Sequence, residues 1–210
     1  PNADFVKKEL YEDRALHFEV AKLKFNFMTN AQALIHGDLH TGSIFIKEDG
    51  LKVFDQEFGI LGPCGYDIGN VIANLIFAYD NGIAYEKKEF TDWILKSVEE
   101  VIDLFIEKYN KYYDEWVSEP MAMVEGFKEY YLDGILRDTS GFTGTELHRR
   151  TVGMANVTDV TTIEDEKKRL VAERINILAG KEFILKADSF KCGKDYVDTI
   201  LKCKALAEEL

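Results

Sequence analysis

Between residues 36 and 57 the chain departs once from helical spacing, and that departure limits what the rest can be. Ile44-Phe45-Ile46 is a short apolar run, Glu48-Asp49-Gly50 reads as a turn, and residues 51–54 form a second short run. Two such runs joined by a tight polar turn predict a β-hairpin, with Gly50 at a positive-φ position. Around it, apolar residues mostly recur every three or four positions. Leu16, Val20, Leu23 and Phe27 form one stripe, which predicts a helix over residues 15–33. The Gly62-Pro63-Cys64-Gly65 cluster predicts a loop. Further helices are predicted over residues 67–79 (ended at Asn81-Gly82), 91–105, 121–136, 144–155, 163–187 and 195–210, with Gly141 and Gly180 as breaks or kinks. Trp93 and Trp116 fall on helical stripes and are expected in the core or an interface; Tyr112, Tyr113, Tyr130 and Tyr131 are expected to pack. The sum is a mainly α fold with a small β-hairpin, in a single domain over residues 1–210.

Composition narrows the function. Apolar residues make up 46% of the chain, enough for a packed core. The net charge of −12 argues against a nucleic-acid-coating surface, which needs clustered Lys and Arg. It leaves nucleotide binding open, because a metal ion and a few placed cations suffice. Cys64, Cys192 and Cys203 are odd in number and fit no zinc spacing, so a reducing cytoplasm is expected. No apolar run approaches the roughly 18 residues of a membrane helix, so neither a membrane span nor a signal peptide is expected.

The densest polar motif sits on the one strand-rich unit: His36-Gly37-Asp38-Leu39-His40-Thr41-Gly42-Ser43, followed one hairpin later by Asp55-Gln56-Glu57. Function concentrates on loops held by a rigid scaffold. Phosphoryl transfer to a hydroxyl needs a carboxylate to orient the alcohol and accept its proton, a role that suits Asp38. It also needs Mg²⁺, which prefers hard carboxylate oxygens, a role that suits Asp55 and Glu57. Those two lie at i and i+2, so on a strand-like segment their side chains point the same way. In kinases a metal or phosphate ligand follows the catalytic Asp by five residues; here that position is Ser43, a weaker ligand than the usual Asn. His36 is expected to support the loop by hydrogen bonding, and His40 beside it. Two other readings stay open at this point: an ordinary polar turn, or a metal cluster of His36, Asp38 and His40 serving a phosphohydrolase.

The His36–Ser43 loop, Phe54-Asp55-Gln56-Glu57-Phe58, Gly62-Pro63-Cys64-Gly65-Tyr66-Asp67-Ile68-Gly69 and Arg149-Arg150-Thr151-Val152-Gly153-Met154-Ala155 together resemble the 5-methylthioribose kinases. These belong to the aminoglycoside phosphotransferase and choline kinase group, with a protein-kinase-like fold. Thr41-Gly42-Ser43 is the discriminating part, since related antibiotic kinases usually read Pro-Gly-Asn there. The resemblance implies the C-terminal lobe of an ATP- and Mg²⁺-dependent kinase that phosphorylates the 1-hydroxyl of 5-methylthioribose in methionine salvage, as a cytoplasmic homodimer. It implies Asp38 as base and sugar contact, Arg149 and Arg150 as sugar contacts, Asp55 and Glu57 as metal ligands, and Ser43 and Asp55 facing the nucleotide. From the residues alone, the favoured reading is that one or both of Arg149 and Arg150 make salt bridges in an acidic protein. Other kinases of the group, for aminoglycosides, choline or homoserine, and an inactive ligand-binding lobe are the alternatives.

The family carries an ATP-clamping lobe with a Gly-rich loop before the His-Gly-Asp loop. Only 35 residues precede His36, they read mainly as helix, and none is glycine. The expectation is that the ATP-clamping lobe is absent from this chain, and that the chain alone does not turn over ATP at a normal rate.

Overall fold

The computed structural model describes residues 2–210. In chain order the elements are α1 (Ala3–Val6), a π-helical turn Lys7–Tyr11, α2 (Arg14–Thr29), β1 (Ala33–Ile35), β2 (Ile44–Lys47), β3 (Gly50–Val53), β4 (Ile60–Gly62), α3 (Gly65–Ala84), α4 (Lys88–Trp116), α5 (Phe127–Val152), α6 (Thr158–Thr161), α7 (Glu166–Leu185) and α8 (Gly193–Glu209). The mainly α architecture with a small hairpin is the expected one.

Helix starts follow their side chains. Asp13 caps α2 by accepting the Leu16 N–H at 2.9 Å, and Asp165 caps α7 by accepting from the Lys167 and Lys168 N–H groups. In α4, Ile94, Val98 and Ile102 repeat every fourth residue and are buried against Ile72, Ile76 and Phe77 of α3. The same core takes Leu147 of α5, Phe183 of α7, and Tyr196, Ile200 and Cys203 of α8. Each fully buried Ile or Phe contributes about 1.5–3 kcal/mol by leaving water.

Residues 121–136 and 144–155 are not two helices but mostly one, α5, and neither Gly141 nor Gly180 breaks its helix. These glycines serve close packing. A Cβ on Gly144 would lie 2.4 Å from the Gly180 carbonyl oxygen of α7, and one on Gly141 would lie 2.5 Å from Leu23 Cδ2 of α2. The α5–α7 and α2–α5 contacts therefore depend on having no side chain there.

The hairpin forms with Lys47 opposite Gly50. Its turn needs no left-handed residue: Gly50 is not among the positive-φ positions, which are Gly37, Asp55, Glu86 and Gly126. A second ladder was not expected. Helix α2 stops at Thr29 rather than running to residue 33, and β1 pairs antiparallel with β4, Ala33 opposite Gly62 and Ile35 opposite Ile60. Gln32 extends that ladder by donating its N–H to the Gly62 carbonyl at 3.1 Å.

Trp93 and Trp116 are exposed rather than in the core, as is Tyr130. Trp116 stacks on the partly exposed Tyr112 at 4.6 Å, so both cover the α4 surface. No helix among the described residues is long and apolar enough to cross a membrane.

Candidate active site

The His36–Ser43 loop leaves β1, and the Asp55–Glu57 turn lies between β3 and β4, so the two ladders bring both segments together. The loops are tied directly. His36 Nε2 lies 2.8 Å from the Phe54 carbonyl oxygen. Gly37 sits at φ +86°, and a Cβ on it would lie 2.3 Å from the Phe58 carbonyl oxygen. Only glycine meets both conditions without strain.

Below the loop, Asp67 in the first turn of α3 accepts the main-chain N–H groups of His36 at 2.5 Å and Gly37 at 3.0 Å. Its neighbour Tyr66 packs between Phe27 of α2 and Phe142 of α5, with ring centroids 4.7 and 5.2 Å away. Burial pushes the Tyr66 phenol pKa up, so it stays neutral. Three helices thus brace the segment that presents Asp38.

Asp38 is partly exposed and faces the end of α5. Its Oδ1 lies 3.4 Å from Arg150 Nη2 and 4.0 Å from Arg149 Nη2. Both guanidiniums are held from behind by Glu146, a buried residue one turn earlier on α5. Arg149 donates from Nε to Glu146 Oε2 at 2.8 Å and from Nη2 to Oε1 at 3.0 Å; Arg150 donates from Nε to Oε1 at 2.8 Å. For Arg149, burial works against the charged form, but the Glu146 hydrogen bonds and charge outweigh it and hold the pKa above the usual value. The adjacent arginines project to one place because they share a carboxylate at i−3 and i−4. Salt bridging and placement at Asp38 are therefore compatible for this pair.

Asp55 and Glu57 are exposed, and among the described residues neither carboxylate has a hydrogen-bond or ion-pair partner. The strand-like i, i+2 alignment does not occur. Strand β3 ends at Val53, Asp55 takes a left-handed φ of 70°, and the Gly59 N–H closes a turn on the Gln56 carbonyl. Mg²⁺ keeps several waters and takes one or two protein carboxylates together with phosphate oxygens. Two uncommitted, exposed carboxylates fit that use. No group of three or more His, Cys, Asp or Glu converges among the described residues, so the His36, Asp38 and His40 metal cluster does not form. His40 Nε2 is 3.2 Å from Ser43 Oγ, and Ser43 is buried with its main chain joined to His40 and Phe54.

Sequence reasoning missed two supports. Asp67 appears in it only as a helix start and a family-motif residue. Glu146 was not singled out, although the spacing Glu146, Arg149, Arg150 is itself a signal for one carboxylate serving two cations.

No family model matches the chain. Among curated proteins it is similar to methylthioribose kinases. That of Erwinia tasmaniensis is 40% identical over 185 residues, covering 86% of this chain and 46% of the relative. That of Geobacillus sp. (strain WCH70) is 38% identical over 186 residues, covering 89% of this chain and 46% of the relative. That of Yersinia pseudotuberculosis serotype O:1b is 38% identical over 182 residues, covering 85% and 45%. The chain spans about half the length of the curated relatives it matches.

Proposed function

We propose that this chain, a homologue of methylthioribose kinases over about half their length, is the sugar-binding, C-terminal lobe of an ATP-dependent kinase acting on the 1-hydroxyl of 5-methylthioribose, a step of methionine salvage. The observation that carries the reading is Asp38 beside two guanidiniums that converge from one helix end. In this reading Arg149 and Arg150 hydrogen-bond the sugar and hold its 1-hydroxyl against Asp38. Asp38 accepts the hydroxyl proton as the oxygen attacks the γ-phosphorus; the bond from that phosphorus to the β–γ bridging oxygen breaks and ADP leaves. Asp55 and Glu57 would hold Mg²⁺, which when bound would neutralise charge on the phosphates. His36 fixes the loop rather than carrying a proton, its Nε2 being engaged with Phe54.

A cytoplasmic homodimer belongs to the same proposal; three free cysteines support a reducing compartment. The main grip on ATP is assigned outside these residues, because no glycine precedes Gly37. Calorimetric titration of 5-methylthioribose into the 210-residue chain tests the reading. Binding is expected, with loss in the Arg149→Ala, Arg150→Ala double variant. No binding, or equal binding of choline or an aminoglycoside, would remove the sugar assignment. Robust transfer of phosphate from ATP by the chain alone would remove the division of labour.

A further inference from the structure

We infer that Glu146 is the positioning residue of the sugar site: it fixes where the two guanidiniums meet Asp38, without touching the sugar itself. The inference rests on the sugar reading above and goes beyond it, since that reading needs only the arginines and Asp38.

The geometry carries it. An unsupported arginine on a helix end samples many rotamers, and immobilising it on binding costs affinity. Here the sorting is done before a ligand arrives. Glu146 is 4% exposed and takes the Nε–H of both forks and the Nη2 of Arg149, while Arg150 Nη2 donates to Asp38 Oδ1 at 3.4 Å and Arg149 Nη2 lies 4.0 Å from it. Arg150 has a second anchor, Nη1 on the Ala155 carbonyl oxygen at 3.4 Å. Arg149 has none besides Glu146 among the described residues, so its position depends on Glu146 most. The arrangement alternates in sign: a buried carboxylate, two guanidiniums, then the partly exposed Asp38. A sugar hydroxyl entering between the guanidiniums and Asp38 meets donors on one side and an acceptor on the other. Both are preset, and the carboxylate behind offsets the charge of the forks.

A purely structural role is the competing account, because a buried carboxylate with three charged hydrogen bonds also supports the fold. The two differ in what Glu146→Gln does. Glutamine keeps the shape but has one acceptor oxygen and no charge, so it cannot hold both Nε–H groups. Two measurements on the full chain separate the accounts. The first is the ¹⁵N spectrum of the arginine Nε–H groups, assigned with Arg149→Lys and Arg150→Lys. In the native chain the two signals should be sharp and slow to exchange. In Glu146→Gln at least the Arg149 signal should collapse toward that of a free side chain. The second is 5-methylthioribose affinity, expected to fall about tenfold or more, the size of one charged hydrogen bond, at a temperature where the variant is fully folded.

Unchanged Nε–H signals, or unchanged affinity in Glu146→Gln, would overturn the role. Sugar binding by neither protein would fell the sugar reading itself; the Nε–H signals would then still show whether Glu146 holds the forks.

Discussion

The carboxylate of Asp67 and the main chain of Gly37 meet at 3.0 Å, across the joint between the first turn of α3 and the loop that presents Asp38. The same carboxylate takes the His36 N–H through its other oxygen. Asp67→Asn leaves one acceptor and turns an amide N–H₂ toward a donor. It should lower stability by about 2–3 kcal/mol, the scale of charged hydrogen bonds to a group left unpaired. Urea unfolding measures it, and a variant within 0.5 kcal/mol of native would show that the loop does not depend on this grip. Asp67→Asn should also weaken sugar binding, because Asp38 loses its footing.

Gly37→Ala meets two penalties at once. Its φ of +86° disfavours any Cβ, and that Cβ would lie 2.3 Å from the Phe58 carbonyl oxygen. The expected cost is above about 1–2 kcal/mol, with the Asp55–Glu57 turn pushed away from the loop. A thermal melt checks the cost. A native melting temperature would mean that the loop simply rearranges.

Gly144 tests the helix contact. A valine there must displace the Gly180 carbonyl, 2.4 Å from its Cβ, and Ile184 Cγ1, 2.7 Å away. Separating α5 from α7 should cost about 1–3 kcal/mol, as overpacked cores do. Gly134, with only the tip of Arg137 at 4.0 Å, is the control: Gly134→Ala should be neutral or stabilising by up to about 1 kcal/mol, as expected in an open helix position.

Stability should fall on mild acidification because of His148. It lies against α7 with Nε2 at 3.0 Å from the Ile177 carbonyl, and burial pulls its pKa from 6.5 to about 4 despite that hydrogen bond. Between those values the unfolded chain binds the proton and the folded chain does not, so stability is lost as pH falls from about 6.5 toward 4. The loss is on the order of 2–3 kcal/mol. His148→Gln should flatten that part of a urea-midpoint profile; an unaltered slope would assign it elsewhere.

Asp80 should act with the opposite sign. Burial raises its pKa well above the ordinary value, and neither of its oxygens has a hydrogen-bond partner among the described residues. The folded chain therefore holds a proton that the unfolded chain releases, and stability declines as pH rises above the unfolded value. Asp80→Asn should stabilise the protein more at pH 8 than at pH 5, again by urea midpoint. Equal gains at both would mean that the carboxyl does not stay protonated.

How much of this was legible depended on distance along the chain. The hairpin was readable because its two runs and turn are adjacent, and α2 because Leu16, Val20 and Leu23 recur at helical spacing. The β1–β4 ladder was not, because Ala33 and Gly62 pair across 28 intervening positions and each strand has three residues. Gly141 and Gly180 misled because glycine both breaks helices and lets them touch, and the outcome is decided by Leu23 and His148 from other helices. Asp38 and the arginine pair stood out by motif, whereas Asp67 and Glu146 work through main chain and side chains that only the folded chain assembles. The orientation of Asp55 was missed for another reason: the alternation rule holds only while the backbone stays extended.

The arginines at the end of α5 also shape how an anionic ligand approaches. The last turn of a helix presents carbonyl oxygens equivalent to roughly half a negative charge. Asp38 and Glu146 lie against Arg149 and Arg150 at that end, and Asp67 holds the loop beside them, in a chain of net charge −12. The field around Asp38 is therefore repulsive to a polyphosphate at long range and attractive only at the guanidiniums themselves. Added salt, which shortens the reach of exposed charges to about 10 Å at 0.1 M, should speed encounter with anions instead of slowing it, the reverse of an electrostatically steered enzyme.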